Sequence, residues 1–157
     1  MSNVNTGLDE NARKAVAASL NQTLADTYAL YMKTHAYHWN VEGPQFHTLH
    51  VMFEEQYREM WAALDEIAER VRALGVYALT SGKEMAKLSA IDDADGEPPA
   101  AADMIKRALA GHEELIKRAR EALSVAEDAG DAASADLLTV RIQTHEKTAW
   151  MLRSMAA

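Results

Sequence analysis

Cysteine is absent from the 157 residues, which excludes disulfides, thiolate zinc sites and cysteine-ligated iron–sulfur clusters. Its absence suits a reducing compartment. Proline occurs only three times, at 44, 98 and 99. Strand-like alternation is missing too, and between the prolines the apolar residues recur with a helical period. No apolar run approaches the length of a membrane span. Met1–Gly7 lacks the basic and apolar regions of a secretory signal, so a soluble cytoplasmic protein with no membrane contact is expected. Positive charge is in deficit: 16 Lys and Arg face 24 Asp and Glu, a net charge of −8. The basic residues are not clustered, and Arg13 and Lys14 are matched by Asp9 and Glu10. Such a surface repels a phosphate backbone and suits cation traffic better. Apolar residues make up 48% of the chain, enough for the core of a single domain over 1–157 with a short tail at about 1–8.

The pattern predicts an all-α protein of four long helices. The first runs from about Asp9 to Trp39, with Thr6 and Asp9 resembling a capping box and Val16, Leu20, Leu24, Leu30, Tyr31 and Thr34 on one face. Asn40-Val41-Glu42-Gly43-Pro44 is the turn. The second runs from near Gln45 to Leu74, and Phe46, Leu49, Phe53, Tyr57, Met60, Leu64, Ile67, Val71 and Leu74 keep the helical spacing. Gly75 ends it. The third enters through Pro98-Pro99 and carries Ile105, Ala108, His112, Leu115, Ala119, Ala122 and Ala126. Gly130 ends the third helix and Asp131 caps the fourth, whose expected stripe is Leu137, Val140, Thr144, Thr148, Met151 and Met155. At roughly 25–30 residues, each helix is about 40 Å long. Short turns make each pair antiparallel, and the long connection over 75–99 returns along the bundle and makes the second and third helices parallel. Within it, Ser81-Gly82-Lys83-Glu84 has capping-box form before Met85, Ala86 and Leu88, which predicts a short extra helix. The one compositional bias is the alanine-rich stretch 94–102.

Four of the six histidines lie between 35 and 50: His35, His38, His47 and His50. Glu54, Glu55, Asp65 and Glu69 follow on the second helix. Imidazole with carboxylate, and no thiolate, suits iron or zinc. His50 and Glu54 are four apart and share a face, as do Asp65 and Glu69. Fifteen residues separate His50 from Asp65, about 22 Å along the axis, whereas metal–ligand bonds are about 2 Å. His38, just across the turn, can converge with His50; Asp65 and Glu69 of the same chain cannot. A second subunit related by a two-fold axis could bring its Asp65 and Glu69 opposite them, giving two equivalent sites per dimer. If these residues bind metal together, the site spans a dimer interface. An intra-bundle di-iron site would need Glu-x-x-His on two helices. The residues three before each histidine are Met32, His35, Pro44, His47, Leu109 and Ile142, and none is glutamate.

His38-Trp39-Asn40-Val41-x-Gly43-Pro44-x-Phe46-x-x-Leu49-His50-x-x-Phe53-Glu54-x-x-Tyr57, followed by Asp65-Glu66-Ile67-Ala68-Glu69-Arg70, resembles the Dps family of mini-ferritins. The spacing His-x11-His-x14-Asp-x3-Glu carries the likeness. Gly75 to Gly82 and Glu146 to Leu152 extend it over nearly the whole chain. The resemblance implies a ferritin-like four-helix bundle and a dodecameric hollow shell. It implies ferrous iron oxidised at two-fold interfaces, usually with hydrogen peroxide, and stored as ferric mineral. On it, His38 and His50 of one chain and Asp65 and Glu69 of its partner are ferroxidase ligands, with room for two metal ions. Glu54 matches a position beside the site, as ligand or as neighbour, and Trp39 an aromatic implicated in electron transfer. Asp131 and Asp136 match an acidic iron-entry pore. His35 and His47 read as hydrogen-bonded or surface residues, His112 and His145 as structural, and Trp61 and Trp150 as core or interface. One departure concerns DNA. Some members bind it through a lysine-rich tail, and residues 1–12 hold no Lys or Arg. The rival expectation is a nucleoid-associated, DNA-protecting protein with little ferroxidase activity.

Overall fold

A computed structural model describes residues 4–92 and 96–156. The chain forms α1 (Glu10–Asn40), α2 (Phe46–Ala73), α3 (Gly82–Leu88), α4 (Ala101–Asp128) and α5 (Ala132–Ala156), with no strand among the described residues. The alanine-rich stretch and the N-terminal tail fall partly outside that range. The α1 cap differs from expectation: Asp9, not Thr6, is the N-cap, and its carboxylate accepts the Ala12 N–H at 3.0 Å. An anionic cap satisfies a free amide and complements the helix dipole in one step. Ser81 caps α3 as expected, accepting from Glu84 N–H at 3.2 Å, while Glu84 Oε2 reaches back to Thr80 N–H at 2.9 Å.

Gly75 (φ +84°) and Gly130 (φ +69°) end α2 and α4 in the left-handed region, where a side chain would be strained. A Cβ on Gly75 would also lie 2.7 Å from Val4 Cγ2.

Helix α1 packs against both α2 and α4, and α5 against α4 and α2. Leu30 of α1 lies over Gly111 of α4, close enough that a Cβ there would meet Leu30 Cδ1 at 2.6 Å. Further along, Asp26 pairs with Arg118, so α1 and α4 run antiparallel. Since α1 is also antiparallel to α2, the two middle helices of the bundle are parallel, as the long crossover requires. Asp26, fully buried, ties that crossover down. It accepts from Arg118 Nε and Ala90 N–H at 2.7 Å each and from Ser89 Oγ at 3.0 Å. Nothing in the apolar pattern marks it.

The core runs the length of the bundle. Leu20, Leu24, Ile67, Val71, Ala122 and Leu138 fill one end. Leu30, Met60, Leu115 and Ile142 fill the middle. Tyr37, Leu49, Phe53, Ile105 and Leu152 fill the end beneath the α1–α2 turn. The expected faces of α2 and α4 are mostly the buried ones. The α5 expectation fails. Its buried face is Ser134, Leu138, Arg141, Ile142, His145, Ala149 and Leu152, while Val140 is 48% exposed. The helix carries apolar residues on more than one face, and its inward face includes a buried arginine and histidine, which hydrophobic periodicity reads as outward.

Candidate functional site

His38 is on the last turn of α1 and His50 on the second turn of α2, on either side of the short turn. Their rings stack at 3.8 Å with 19° between planes. Each ring nitrogen Nδ1 lies 2.8 Å from the other residue's backbone carbonyl: His38 Nδ1 from His50 O, and His50 Nδ1 from His38 O. A carbonyl only accepts, so both Nδ1 atoms carry a hydrogen, and in the neutral rings both Nε2 atoms keep a lone pair free. That is the tautomer a metal ligand needs. His38 is buried and His50 half-buried, and Phe46 stacks on His50 at 5.1 Å.

Glu54, one turn beyond His50, accepts Arg58 Nε at 2.8 Å and pairs with its Nη2 at 2.7 Å. This hydrogen bond holds its carboxyl below the usual range against the opposing effect of burial, and electrostatic attraction to Arg58, His38 and His50 adds to it. Asp65 and Glu69 are exposed on the same helix and have no hydrogen bond or ion pair among the described residues. Four turns of α2 separate them from His50, about 22 Å. Among the described residues no three His, Asp or Glu side chains of one chain converge on a point a metal could occupy. The fold therefore brings together His38 and His50, sets Glu54 one helical turn beyond His50 on Arg58, and leaves Asp65 and Glu69 apart from them.

Aromatic rings run from the histidine pair toward Asp65. Tyr57 is edge-on to His38 at 5.2 Å, and His35 stacks on Tyr57 at 3.8 Å. Tyr31 is 5.6 Å from His35 and 5.5 Å from Trp61, which precedes Asp65 by one turn. Trp39, 58% exposed, lies 4.2 Å from His35. Burial, then the charges of His38 and Arg58, lower the His35 pKa, so its imidazole is neutral near pH 7. No one of these residues marks the ladder when taken singly. The i, i+4 spacings Tyr31/His35 and Tyr57/Trp61 on two paired helices were the available signal. Trp61 and Trp150 are 63% and 60% exposed, so neither is a core residue.

Asp131 and Asp136 differ sharply. Asp131 is buried; it caps α5 through Ser134 N–H at 3.1 Å and pairs with Arg70 at 2.7 Å. Asp136 is exposed. His112 and His145 form a buried pair inside the bundle, Nδ1 to Nδ1 at 2.9 Å. Arg141, held by Glu59, lies 3.2 Å from His145 Nε2. An arginine only donates, so His145 carries its hydrogen on Nδ1 and gives it to His112 Nδ1. The remaining His112 Nε2–H is buried with no partner among the described residues.

No helix of the described residues is long and apolar enough to cross a membrane. The ferritin family's ferritin-like domain matches residues 17–157. A low temperature-induced protein of Nostoc is 41% identical over 155 residues, 98% of this chain and 87% of its own. A DNA protection during starvation protein of Brevibacillus brevis is 36% identical over 142 residues, 90% of this chain and 95% of its own. Among solved structures, a Dps protein of Vibrio cholerae, described as a member of the ferritin-like diiron-carboxylate superfamily, matches with TM-score 0.94 and 30% identity, covering 100% of this chain and 98% of that one. DpsC of Streptomyces coelicolor matches with TM-score 0.96 at 26% identity, covering 99% and 91%. An all-helical bundle with this crossover, matched along nearly its whole length by these proteins, belongs to the Dps family of ferritin-like proteins.

Proposed function

We propose that this protein oxidises ferrous iron, with hydrogen peroxide as oxidant, and stores the ferric product inside a hollow homo-oligomeric shell of twelve chains in the cytoplasm. The observation that carries the reading is the reciprocal His38–His50 lock, which leaves two adjacent imidazole Nε2 lone pairs directed away from the backbone. Asp65 and Glu69, exposed and unpaired, are the carboxylates a two-fold-related chain would contribute, and Glu54 stands beside the histidines. Two ferrous ions in one such site each give one electron. The O–O bond of peroxide breaks, two protons are taken up, and two waters form, so no hydroxyl radical is released. Hard carboxylate oxygens favour the ferric product. Exposed Asp136 is the residue assigned to an acidic iron entry; Asp131 is committed to the α5 cap and Arg70.

A second reading, DNA protection, takes its support from the name of the Brevibacillus relative. The net charge of −8 and the absence of Lys and Arg from residues 1–12 weigh against it.

The test is anaerobic loading of the purified protein with ferrous iron, addition of peroxide, and a record of ferric absorbance against an air-only control and against His50→Ala/Asp65→Ala. Fast peroxide-dependent oxidation, lost in the variant while the assembly persists, supports the reading. Equal rates in variant and parent remove these residues from the site, and a rate no faster than buffer passes the lead to the DNA-protecting role.

A further inference from the structure

The iron reading accounts for the histidines and carboxylates but gives no task to Tyr31. Its hydroxyl oxygen lies 3.2 Å from His35 Nδ1. In the tautomer that carries its hydrogen on Nε2, His35 accepts the phenol hydrogen at Nδ1, which makes that nitrogen the acceptor for the proton a phenol must shed when it loses an electron. Tyr31 also has an unbroken ring path to the histidine pair. His35 stacks on Tyr57 at 3.8 Å with 13° between planes, and Tyr57 meets His38 at 5.2 Å. Tyr57 is nearer the pair but is the poorer donor: the guanidinium carbon of Arg58 lies 5.7 Å from its ring centroid, and arginine takes up no proton.

We propose that Tyr31, with His35 as its proton acceptor, is a one-electron donor to the oxidation site, used when peroxide meets a site holding a single ferrous ion. The inference rests on the iron-oxidation reading above. The ferrous ion supplies one electron and Tyr31 the second. The O–O bond breaks, and both oxygens leave as hydroxide. The phenolic proton moves to His35 Nδ1, leaving a ferric ion, a neutral tyrosyl radical and an imidazolium. A half-filled site is thereby spared the one-electron cleavage that releases hydroxyl radical.

The experiment has two arms, both on the full chain. In the first, protein loaded anaerobically with one ferrous ion per site receives hydrogen peroxide, is frozen within milliseconds, and is examined by electron paramagnetic resonance, with a spin trap in a parallel sample. The expected result is a tyrosyl signal that shrinks as loading rises to two ions per site. In Tyr31→Phe, which keeps the ring and its packing, the signal is lost and trapped hydroxyl radical rises; Trp150→Phe, far from the ladder, behaves as the parent. A parent that oxidises iron rapidly with no tyrosyl signal, or one whose signal survives intact in Tyr31→Phe, overturns the assignment. The second arm needs no iron. Azide radicals from pulse radiolysis oxidise the indoles of the metal-free protein, and passage of the hole to tyrosine is followed optically. The yield should fall in Tyr31→Phe, and the transfer should slow in His35→Phe, which keeps a ring but removes the base. Equal transfer in all three proteins overturns the proposal. Failure of iron oxidation in the parent, with transfer in the second arm still dependent on Tyr31, would instead overturn the iron reading and leave Tyr31 as a redox centre.

Discussion

His38 and His50 fix each other's tautomer: each Nδ1–H is given to the other's backbone carbonyl at 2.8 Å. Replacing either histidine by alanine removes one Nε2 and the ring stacked on the other, while the backbone carbonyl that holds the remaining ring stays in place. Losing a ligand outright is a larger change than losing an outer hydrogen bond on a metal-ligating histidine, which by itself costs about 10–100-fold in affinity, so each single variant should lose at least that much ferrous binding. Anaerobic titration measures it; parent-like affinity in either variant would place the iron elsewhere.

The distance between the two halves of the site on α2, about 22 Å, predicts complementation. A His38→Ala/His50→Ala chain and an Asp65→Ala/Glu69→Ala chain should each be inactive alone. Co-assembled, they should recover part of the peroxide-dependent rate, because a mixed dimer holds one complete set. Confirmed mixed shells with no recovery would refute shared sites.

The buried His112–His145 pair makes stability pH-dependent. Burial, helped by the Arg141 charge, lowers the His112 pKa to about 3, and burial, then His112 and Arg141, lower that of His145 well below its ordinary value. Near the ordinary value of 6.5 the unfolded chain takes up protons that the native bundle refuses. Stability is therefore fully present above that value and falls as the pH drops from it toward about 3. His112→Gln/His145→Gln, which keeps hydrogen bonding but cannot titrate, should lose less melting temperature than the parent between neutral pH and about pH 5. Equal losses would show that the pair is not the acid-sensitive element.

Asp131 and Asp136 should separate stability from iron traffic. Asp131→Ala removes the α5 cap and strands the largely buried Arg70. A loss of about 2–3 kcal/mol is expected in denaturant unfolding, between a cap alone and a fully buried ion pair. Asp136→Ala should leave unfolding within about 0.5 kcal/mol of the parent and slow iron uptake into the assembly. A stable Asp131→Ala would mean that Arg70 finds another partner.

Charge predicts no band shift with duplex DNA at physiological salt. Appending a short lysine-rich tail to residue 1 should create one, with affinity falling steeply as salt rises. A shift by the unmodified chain would show basic groups concentrated on the assembly in a way the single chain does not display.

Much of this was readable beforehand because it depends on local chemistry. The expected faces of α2 and α4 agree largely with the burial, since one apolar stripe per helix has one way to meet a core. Gly75, Gly130 and the Ser81 cap are local backbone matters. The buried face of α5 departs from its apolar pattern for the opposite reason. Arg141 and His145 point inward because Glu59 and His112 on other helices receive them, and no pattern within α5 carries that information. Asp26, buried against Arg118 and the crossover, is hidden for the same cause.

The sequence by itself determined the helices, their order, and the spacing that lets His38 meet His50 while keeping Asp65 and Glu69 far from both; these follow from helical rise and period, which are properties of neighbouring residues. Only the tertiary structure decided which histidine nitrogens are free, which aspartate is a cap and which an open carboxylate, and that Tyr31, His35, Tyr57 and Trp61 form one ladder. Those outcomes depend on hydrogen-bond partners and ring neighbours from other helices, and partners distant in sequence are set only when the helices pack.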